Sequence, residues 1–492
     1  MILVTKNHDF HYETANICRL FVPLEKITIV KETPKTVFEL LAITEMKRTE
    51  KGAIVSATLL LDDYEESLED TVLNTELPFM DACELRLATL LYLLLCRLFH
   101  TTQSWGVVTG IRPVKLLRQK VESLGMEQAE TYFKETLLVS DNKWNIAKRT
   151  LESENKILAT SKPESCSLYI SIPFCPTRCD YCSFVSHTTD RSAYLIPEYV
   201  ELLKKEIAKT AEIIKELGLQ LETIYIGGGT PTSLSADQMA DLLHTIANSM
   251  DLSPVREFTV EAGRPDTVTK EKLEAIYKAG ISRISINPQT LHNHVLEAIG
   301  RKHTVEQFYD AYNLARQIGF SFINTDLIAG LSGDTVEGFE ETLKGILSLH
   351  PENVTVHTLA MKRSSNFVVH HRTDIGKKED TPQMVDLSNT YLTENGYHPY
   401  YLYRQGKTVG NQENIGWSTP GNEGLYNVFI MDETHTILGC GAGAVTKLKE
   451  PNGTLIERIF NFKFPYEYNA RFSEMLDRKA GILDFYKNHP IP

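Results

Sequence analysis

Three of the chain's eight cysteines, Cys175, Cys179 and Cys182, stand within eight residues at the end of the stretch Tyr169-Ile170-Ser171-Ile172-Pro173-Phe174-Cys175-Pro176-Thr177-Arg178-Cys179-Asp180-Tyr181-Cys182. A structural zinc site closes on four ligands, usually as two Cys or Cys/His pairs, and no fourth ligand stands at a suitable spacing on either side. Three thiolates suit a 4Fe–4S cluster instead, in which one iron keeps a free position for a small molecule. Further chemistry-bearing residues follow in order. Gly227-Gly228-Gly229-Thr230-Pro231 lets backbone approach a ligand closely, and it lacks the Gly-Lys-Ser/Thr ending of a phosphate loop. Beyond it come Glu261 in Glu261-Ala262-Gly263-Arg264-Pro265-Asp266, Gln289 in Asn287-Pro288-Gln289, Arg301, Asp326, and the basic run Lys362-Arg363, His370-His371-Arg372 and Lys377-Lys378.

These residues need a scaffold that brings them together. Strand-like runs begin near Tyr169, Thr223, Glu257, Arg283, Phe322 and Asn353, with amphipathic helical stretches such as 199–218 and 304–319 between them. Thr304 with Gln307 is a capping-box signature, and Gly218, Gly280 and Gly319 stand where helices stop. Strands separated by helices run parallel, so the class is α/β with six βα units in an open or barrel-like sheet. Each polar motif falls at the C-terminal end of its strand, the face on which barrel enzymes build their sites.

The ordered set resembles the radical S-adenosylmethionine superfamily and, more narrowly, the oxygen-independent coproporphyrinogen III oxidase (coproporphyrinogen dehydrogenase) family in its HemZ-like branch. The resemblance covers residues 165 to about 363, carried by the cysteines, GGGTP, EAGRPD, the INPQT run and the stretch Val356 to Arg363. It implies an incomplete (βα)6 barrel, a 4Fe–4S cluster on Cys175, Cys179 and Cys182, and S-adenosylmethionine on the open iron. Tyr169, Gly228 and Glu261 would contact that nucleotide. Tyr181, Gly229, Thr230, Gln289, Arg301, Asp326 and Ala360 match positions that surround a second S-adenosylmethionine in the family's founding enzyme. The family reaction is oxidative decarboxylation of coproporphyrinogen III to protoporphyrinogen IX in haem biosynthesis, begun by a 5'-deoxyadenosyl radical. Related branches open or alkylate haem, and one subfamily is a haem chaperone. Three positions depart from the founding pattern: Phe184 replaces a fourth cysteine, Ser171 a histidine, and EAGRPD a shorter Glu-x-Asp/Asn-Pro. The resemblance also implies a tetrapyrrole ligand, with Lys362, Arg363 and Arg372 as candidate partners of its carboxylates and Arg112 and Arg264 as the next donors. An electron donor such as flavodoxin or ferredoxin is expected.

Length and composition frame this reading. A chain of 492 residues with 42% apolar and 23% charged residues is a multi-domain globular protein. The expected division is an N-terminal α/β or β-rich module (1–80), a helical region and linker (81–164), the barrel (165–363) and a C-terminal α+β covering domain (364–492). A net charge of −13 argues against a general nucleic-acid binder. The apolar run 87–96 is too short to span a bilayer, which needs ~20 residues, so it reads as a buried helix. No secretory signal is apparent at the N-terminus, and a cytoplasmic monomer is expected. Cys18, Cys83, Cys96, Cys166 and Cys440 read as structural thiols.

Overall fold

The computed structural model describes residues 1–34, 39–76, 78–184, 186–362, 365–369 and 379–492. The chain divides into two compact units, Met1–Lys148 with Arg404–Lys407, and Arg149–Tyr403 with Thr408–Pro492. The division falls inside the helix Asp141–Leu158, so the Lys162-Pro163-Glu164-Ser165 stretch is not the boundary. Pro163 instead precedes the strand that starts at Ser165.

In the first unit, β1 (Ile2–Lys6), β2 (Thr28–Val30), β3 (Leu41–Thr49), β4 (Gly52–Leu61) and β5 (Tyr64–Leu73) form one sheet in the order β2-β1-β3-β4-β5. β1 pairs in parallel with β2 and β3, and β3, β4 and β5 form an antiparallel meander. The apolar run expected to be a buried helix lies in Phe79–Phe99, with Leu87, Leu91, Leu94 and Leu95 fully buried. Among the described residues no helix is long and apolar enough to cross a membrane.

The second unit is built on β6 (Ser165–Ile172), β7 (Phe174–Cys175), β8 (His187–Thr188), β9 (Gln220–Gly228), β10 (Glu257–Glu261), β11 (Arg283–Ser285), β12 (Phe322–Ala329) and β13 (Asn353–Thr358). β6 and β9 to β13 are hydrogen-bonded in sequence order, all parallel, with a helix in each crossover. Side chains alternate across these strands: Ile224, Ile226, Val260, Ile284 and Ile323 share one apolar side and are fully buried, and Tyr225 and Glu261 lie on the other. The helix Val305–Ile318 starts at the Thr304/Gln307 capping box and stops at Gly319 in the left-handed region, as the sequence predicts.

The sheet does not close on itself. Four of the strands from the C-terminal region, β14 (His398–Arg404), β15 (Glu413–Ser418), β16 (Thr436–Cys440) and β17 (Val445–Lys449), continue it with β18 (Ile456–Phe460), giving the order β14-β15-β13-β12-β11-β10-β9-β6-β16-β17-β18. The C-terminal region is therefore not a separate compact unit, contrary to expectation. An open parallel sheet leaves unpaired N–H and C=O groups at both edges, and β15 and β16 satisfy them. A buried ionic network secures the β16 edge. Glu206, on the helix Ile196–Leu217, pairs with Lys479 Nζ at 3.0 Å and accepts hydrogen bonds from Gly441 N, Tyr468 Oη and Asn461 Nδ2. Beside it, Tyr199 Oη accepts from Ala442 N and donates to the Ser171 carbonyl on β6.

Candidate functional site

β6 delivers the cysteine stretch directly. Pro173 ends the strand, Phe174–Cys175 pairs with His187–Thr188, and the intervening loop carries Cys179 and Cys182. Cys175 and Cys179 are buried and Cys182 is half-buried. Burial pushes the Cys175 thiol up and the Cys182 thiol up to about 12, and the neighbouring cysteines of the trio push in the same direction. Each sulfur also meets a donor. Thr230 Oγ1 donates to Cys175 Sγ at 3.4 Å, Arg264 Nη1 donates to Cys179 Sγ at 3.6 Å, and the Phe184 backbone lies against Cys182. Among the described residues no three His, Cys, Asp or Glu side chains converge on a single metal ion. Three thiols that each take a different iron of one cluster have no such common point, and dedicated donors to the sulfurs are what ligating thiolates use. The residues present thus fit a 4Fe–4S cluster with one iron left open.

The glycine stretch ends β9 against this loop. A Cβ on Gly229 would stand 2.7 Å from the Phe174 carbonyl oxygen and 3.0 Å from Cys175 Sγ. Gly228, at φ +109°, would place a Cβ 2.9 Å from Ser171 Oγ and 3.1 Å from Ile172 N. Both glycines are therefore required by the packing of β6 and the cysteine loop, a constraint that ligand approach alone does not convey.

Glu261 ends β10 inside the barrel. Tyr225 Oη donates to its Oε1 at 2.5 Å, and burial pushes its carboxyl up to about 7, with Asp326 contributing in the same direction. Tyr225 belongs to a stack with Tyr169 and Tyr426, whose ring centroids lie 4.6 to 6.4 Å apart. Asp326 accepts from Asn287 Nδ2 and Asn324 Nδ2, each at 2.8 Å, and its carboxylate lies 3.7 Å from His357 Nε2. Burial would raise its pKa, but His357 and the hydrogen bonds hold it below the ordinary value.

Gln289 sits at φ +71°, a strained backbone for a residue with a side chain. Its N–H donates to the Asp326 carbonyl and its own carbonyl accepts from Ile328 N, which forces that conformation. Arg301 Nη1 donates to Tyr181 Oη at 3.0 Å, and its Nη2 donates to the carbonyls of Gly263 and Asn287 at 2.7 and 3.1 Å. One guanidinium thus joins the cysteine loop to the loops after β10 and β11. Gln289 Oε1 and Arg301 Nε are buried and have no hydrogen-bond partner among the described residues. Two buried polar atoms left open in this way suit a polar ligand.

Ala360 pairs with Thr408 in an isolated bridge just past β13, and its carbonyl accepts from Lys362 N. Lys362 is half-buried, and burial lowers its pKa. Arg363, His370, His371, Arg372, Lys377 and Lys378 lie outside the described residues. Arg264 is not available as a carboxylate donor. Its Nε and Nη2 donate to Asp266, Nη2 also reaches Thr177 Oγ1, and Nη1 donates to the Thr177 carbonyl and Cys179 Sγ, which occupies the whole guanidinium. Sequence reasoning missed that clamp, and it missed Tyr225, Tyr426, Asn287 and His357. Tyr225 and Asn287 were detectable as polar residues alternating with apolar ones near the ends of their strands. Nothing local marks Tyr426.

Residues 169–346 match the family model described as the radical SAM superfamily. The chain is 42% identical over 392 residues to the oxygen-independent coproporphyrinogen-III oxidase-like protein HemZ of Bacillus subtilis, covering 78% of each chain. It is 36% identical over 313 residues to the heme chaperone HemW of Bacillus subtilis, covering 61% of this chain and 77% of that one. Among solved structures it resembles coproporphyrinogen III oxidase (HemN) of Escherichia coli, with a TM-score of 0.52 at 23% identity over 65% of this chain and 72% of that one, a likeness of fold.

Proposed function

Since the chain belongs to the HemN/HemZ family of the radical S-adenosylmethionine superfamily, we propose that it is an enzyme that oxidatively decarboxylates the propionates of coproporphyrinogen III. Its cofactors are those of the superfamily, a 4Fe–4S cluster and S-adenosylmethionine. When bound together they supply reductive cleavage of the sulfonium and abstraction of a hydrogen atom from substrate. Cys175, Cys179 and Cys182 hold the cluster. Tyr169, Gly228 and Glu261 would orient the nucleotide. Tyr181, Gly229, Thr230, Gln289, Arg301, Asp326 and Ala360 shape a second nucleotide pocket, in which Gln289 Oε1 and Arg301 Nε are the atoms left for a ligand. Thr230 and Gly229 act there mainly through Cys175. Lys362, Arg363 and Arg372 pair with substrate carboxylates. An electron comes from a flavodoxin or ferredoxin, and the protein acts as a cytoplasmic monomer.

The observation that carries this reading is the cysteine trio, each sulfur given its own donor, at the C-terminal end of a parallel barrel strand. One feature favours a second reading. Phe184 stands where the founding pattern has a fourth cysteine, and the relative called a heme chaperone is 36% identical to this chain. Anaerobic incubation of the reconstituted protein with reductant, S-adenosylmethionine and coproporphyrinogen III, followed by mass analysis, decides between them. The enzyme converts two propionates to vinyl groups with loss of carbon dioxide. Tight binding of haem with both tetrapyrroles recovered unaltered contradicts the enzymatic reading.

A further inference from the structure

We infer that Arg264 is a positioning residue for the cluster, locking the loop that carries Cys175 and Cys179 and setting the cluster's reduction potential through Cys179. This rests on the cluster assignment above. The longer EAGRPD stretch, in place of Glu-x-Asp/Asn-Pro, is what inserts an arginine at this point in the chain. Arg264 is 4% exposed, and its donors are divided between two tasks. Nη1 and Nη2 hold the Thr177 carbonyl at 3.2 Å and hydroxyl at 3.1 Å, which fixes the turn between the first two cysteines. Nη1 also reaches Cys179 Sγ at 3.6 Å, so a permanent positive charge lies against one ligating sulfur. Asp266 takes the Nε and Nη2 donors at 3.0 and 2.8 Å, which orients the fork and partly neutralises it.

Hydrogen bonds and net charge at the sulfurs are among the terms that set the potential of an iron-sulfur cluster. A donor cation at Cys179 stabilises the reduced, more negative cluster more than the oxidised one. Removing that cation makes the cluster harder to reduce. Removing the opposing carboxylate while keeping the arginine makes it easier. Loosening of the loop has no reason to produce opposite signs from two members of one ion pair.

The test is an anaerobic redox titration of the purified, reconstituted protein, followed by the electron paramagnetic resonance of the reduced cluster, with iron content measured in parallel. In Arg264→Gln the ratio of reduced to oxidised cluster at a fixed potential should fall about tenfold, a shift of 59 mV for one electron. In Asp266→Asn the midpoint should move upward. In Arg264→Lys, which keeps a charge but not the fork, the midpoint should stay near the parent's while iron loading falls. Unchanged midpoints in fully loaded Arg264→Gln, or shifts of the same sign in the Gln and Asn variants, overturn the inference. If Arg264→Gln takes up no iron, Asp266→Asn decides by itself, and the absence of an upward shift overturns it. A parent protein that takes up no cluster contradicts the cluster assignment, whereas a loaded parent whose variants keep its midpoint contradicts the role of Arg264 alone.

Discussion

Lys479→Met removes one half of a buried ion pair and is the sharpest test of how the C-terminal edge is joined to the barrel. Glu206 and Lys479 are 0% and 2% exposed, and their charged atoms are 3.0 Å apart. Lys479 Nζ also donates to the Gly439 carbonyl at 2.6 Å. With Met in place, the Glu206 carboxylate keeps the donors Gly441 N, Tyr468 Oη and Asn461 Nδ2 but loses the Lys479 countercharge. Leaving a buried charge unpaired costs about 3–5 kcal/mol. With an unfolding entropy of ~2.1 cal/mol/K per residue, the transition of the larger unit should drop by about 4–7 °C in calorimetry. The double variant Glu206→Gln/Lys479→Met removes both charges and leaves a carbonyl to accept from Gly441 or Tyr468. It should therefore melt above the Lys479→Met single variant, although it is the more heavily altered protein. A double variant that melts at or below the single one, or a single variant that melts like the parent, refutes the electrostatic account of this junction.

Three further outcomes follow from the site. Gly229→Ala places a methyl group 2.7 Å from the Phe174 carbonyl and 3.0 Å from Cys175 Sγ, so iron loading should fall while the circular dichroism of the protein is retained. Glu261 has a folded pKa raised to about 7 from an ordinary 4.5, so the folded state keeps a proton that the unfolded state releases. Its contribution to stability is therefore lost as pH rises from 4.5 to about 7 and is flat above that, while affinity for the cationic nucleotide should rise through the same window. Glu261→Gln should remove both dependences, as measured by urea unfolding and by nucleotide binding across that range. Arg363→Ala and Arg372→Ala should each weaken binding of a free-acid tetrapyrrole by roughly ten- to a hundredfold, since one charged hydrogen bond is worth ~1.5–3 kcal/mol, and have little effect when the propionates are esterified. Equal loss with the ester would contradict a role in carboxylate recognition.

The starts of the barrel strands were legible because apolar runs of strand length alternate with amphipathic helices, and β10 to β13 begin at Glu257, Arg283, Phe322 and Asn353 as read. Thr304 and Gly319 mark a helix by local chemistry that needs no tertiary context. The cysteine spacing was legible for the same reason, since its meaning is contained in eight residues. Pairing between distant segments was not. Nothing around Ile437 announces that it lies beside Ser167, so the C-terminal region read as a domain of its own when its strands complete the edges of the sheet. The tasks of individual polar groups were equally hidden. Arg264 read as a donor for substrate carboxylates, and its true neighbours, Thr177 and Cys179, lie more than eighty residues earlier in the chain. Gly228 and Gly229 read as space for a ligand, while the close approach of Ser171, Phe174 and Cys175 already excludes a side chain there.

The central claim is that three cysteines hold a cluster whose fourth iron is open to S-adenosylmethionine. Electron paramagnetic resonance of the reduced, anaerobically reconstituted protein, recorded with and without S-adenosylmethionine, tests it most directly. The parent should show a 4Fe–4S signal that changes when the nucleotide is added, and the protein with Cys175, Cys179 and Cys182 all replaced by Ala should show none. A cluster signal that survives in the triple variant, or a parent signal indifferent to the nucleotide, contradicts it.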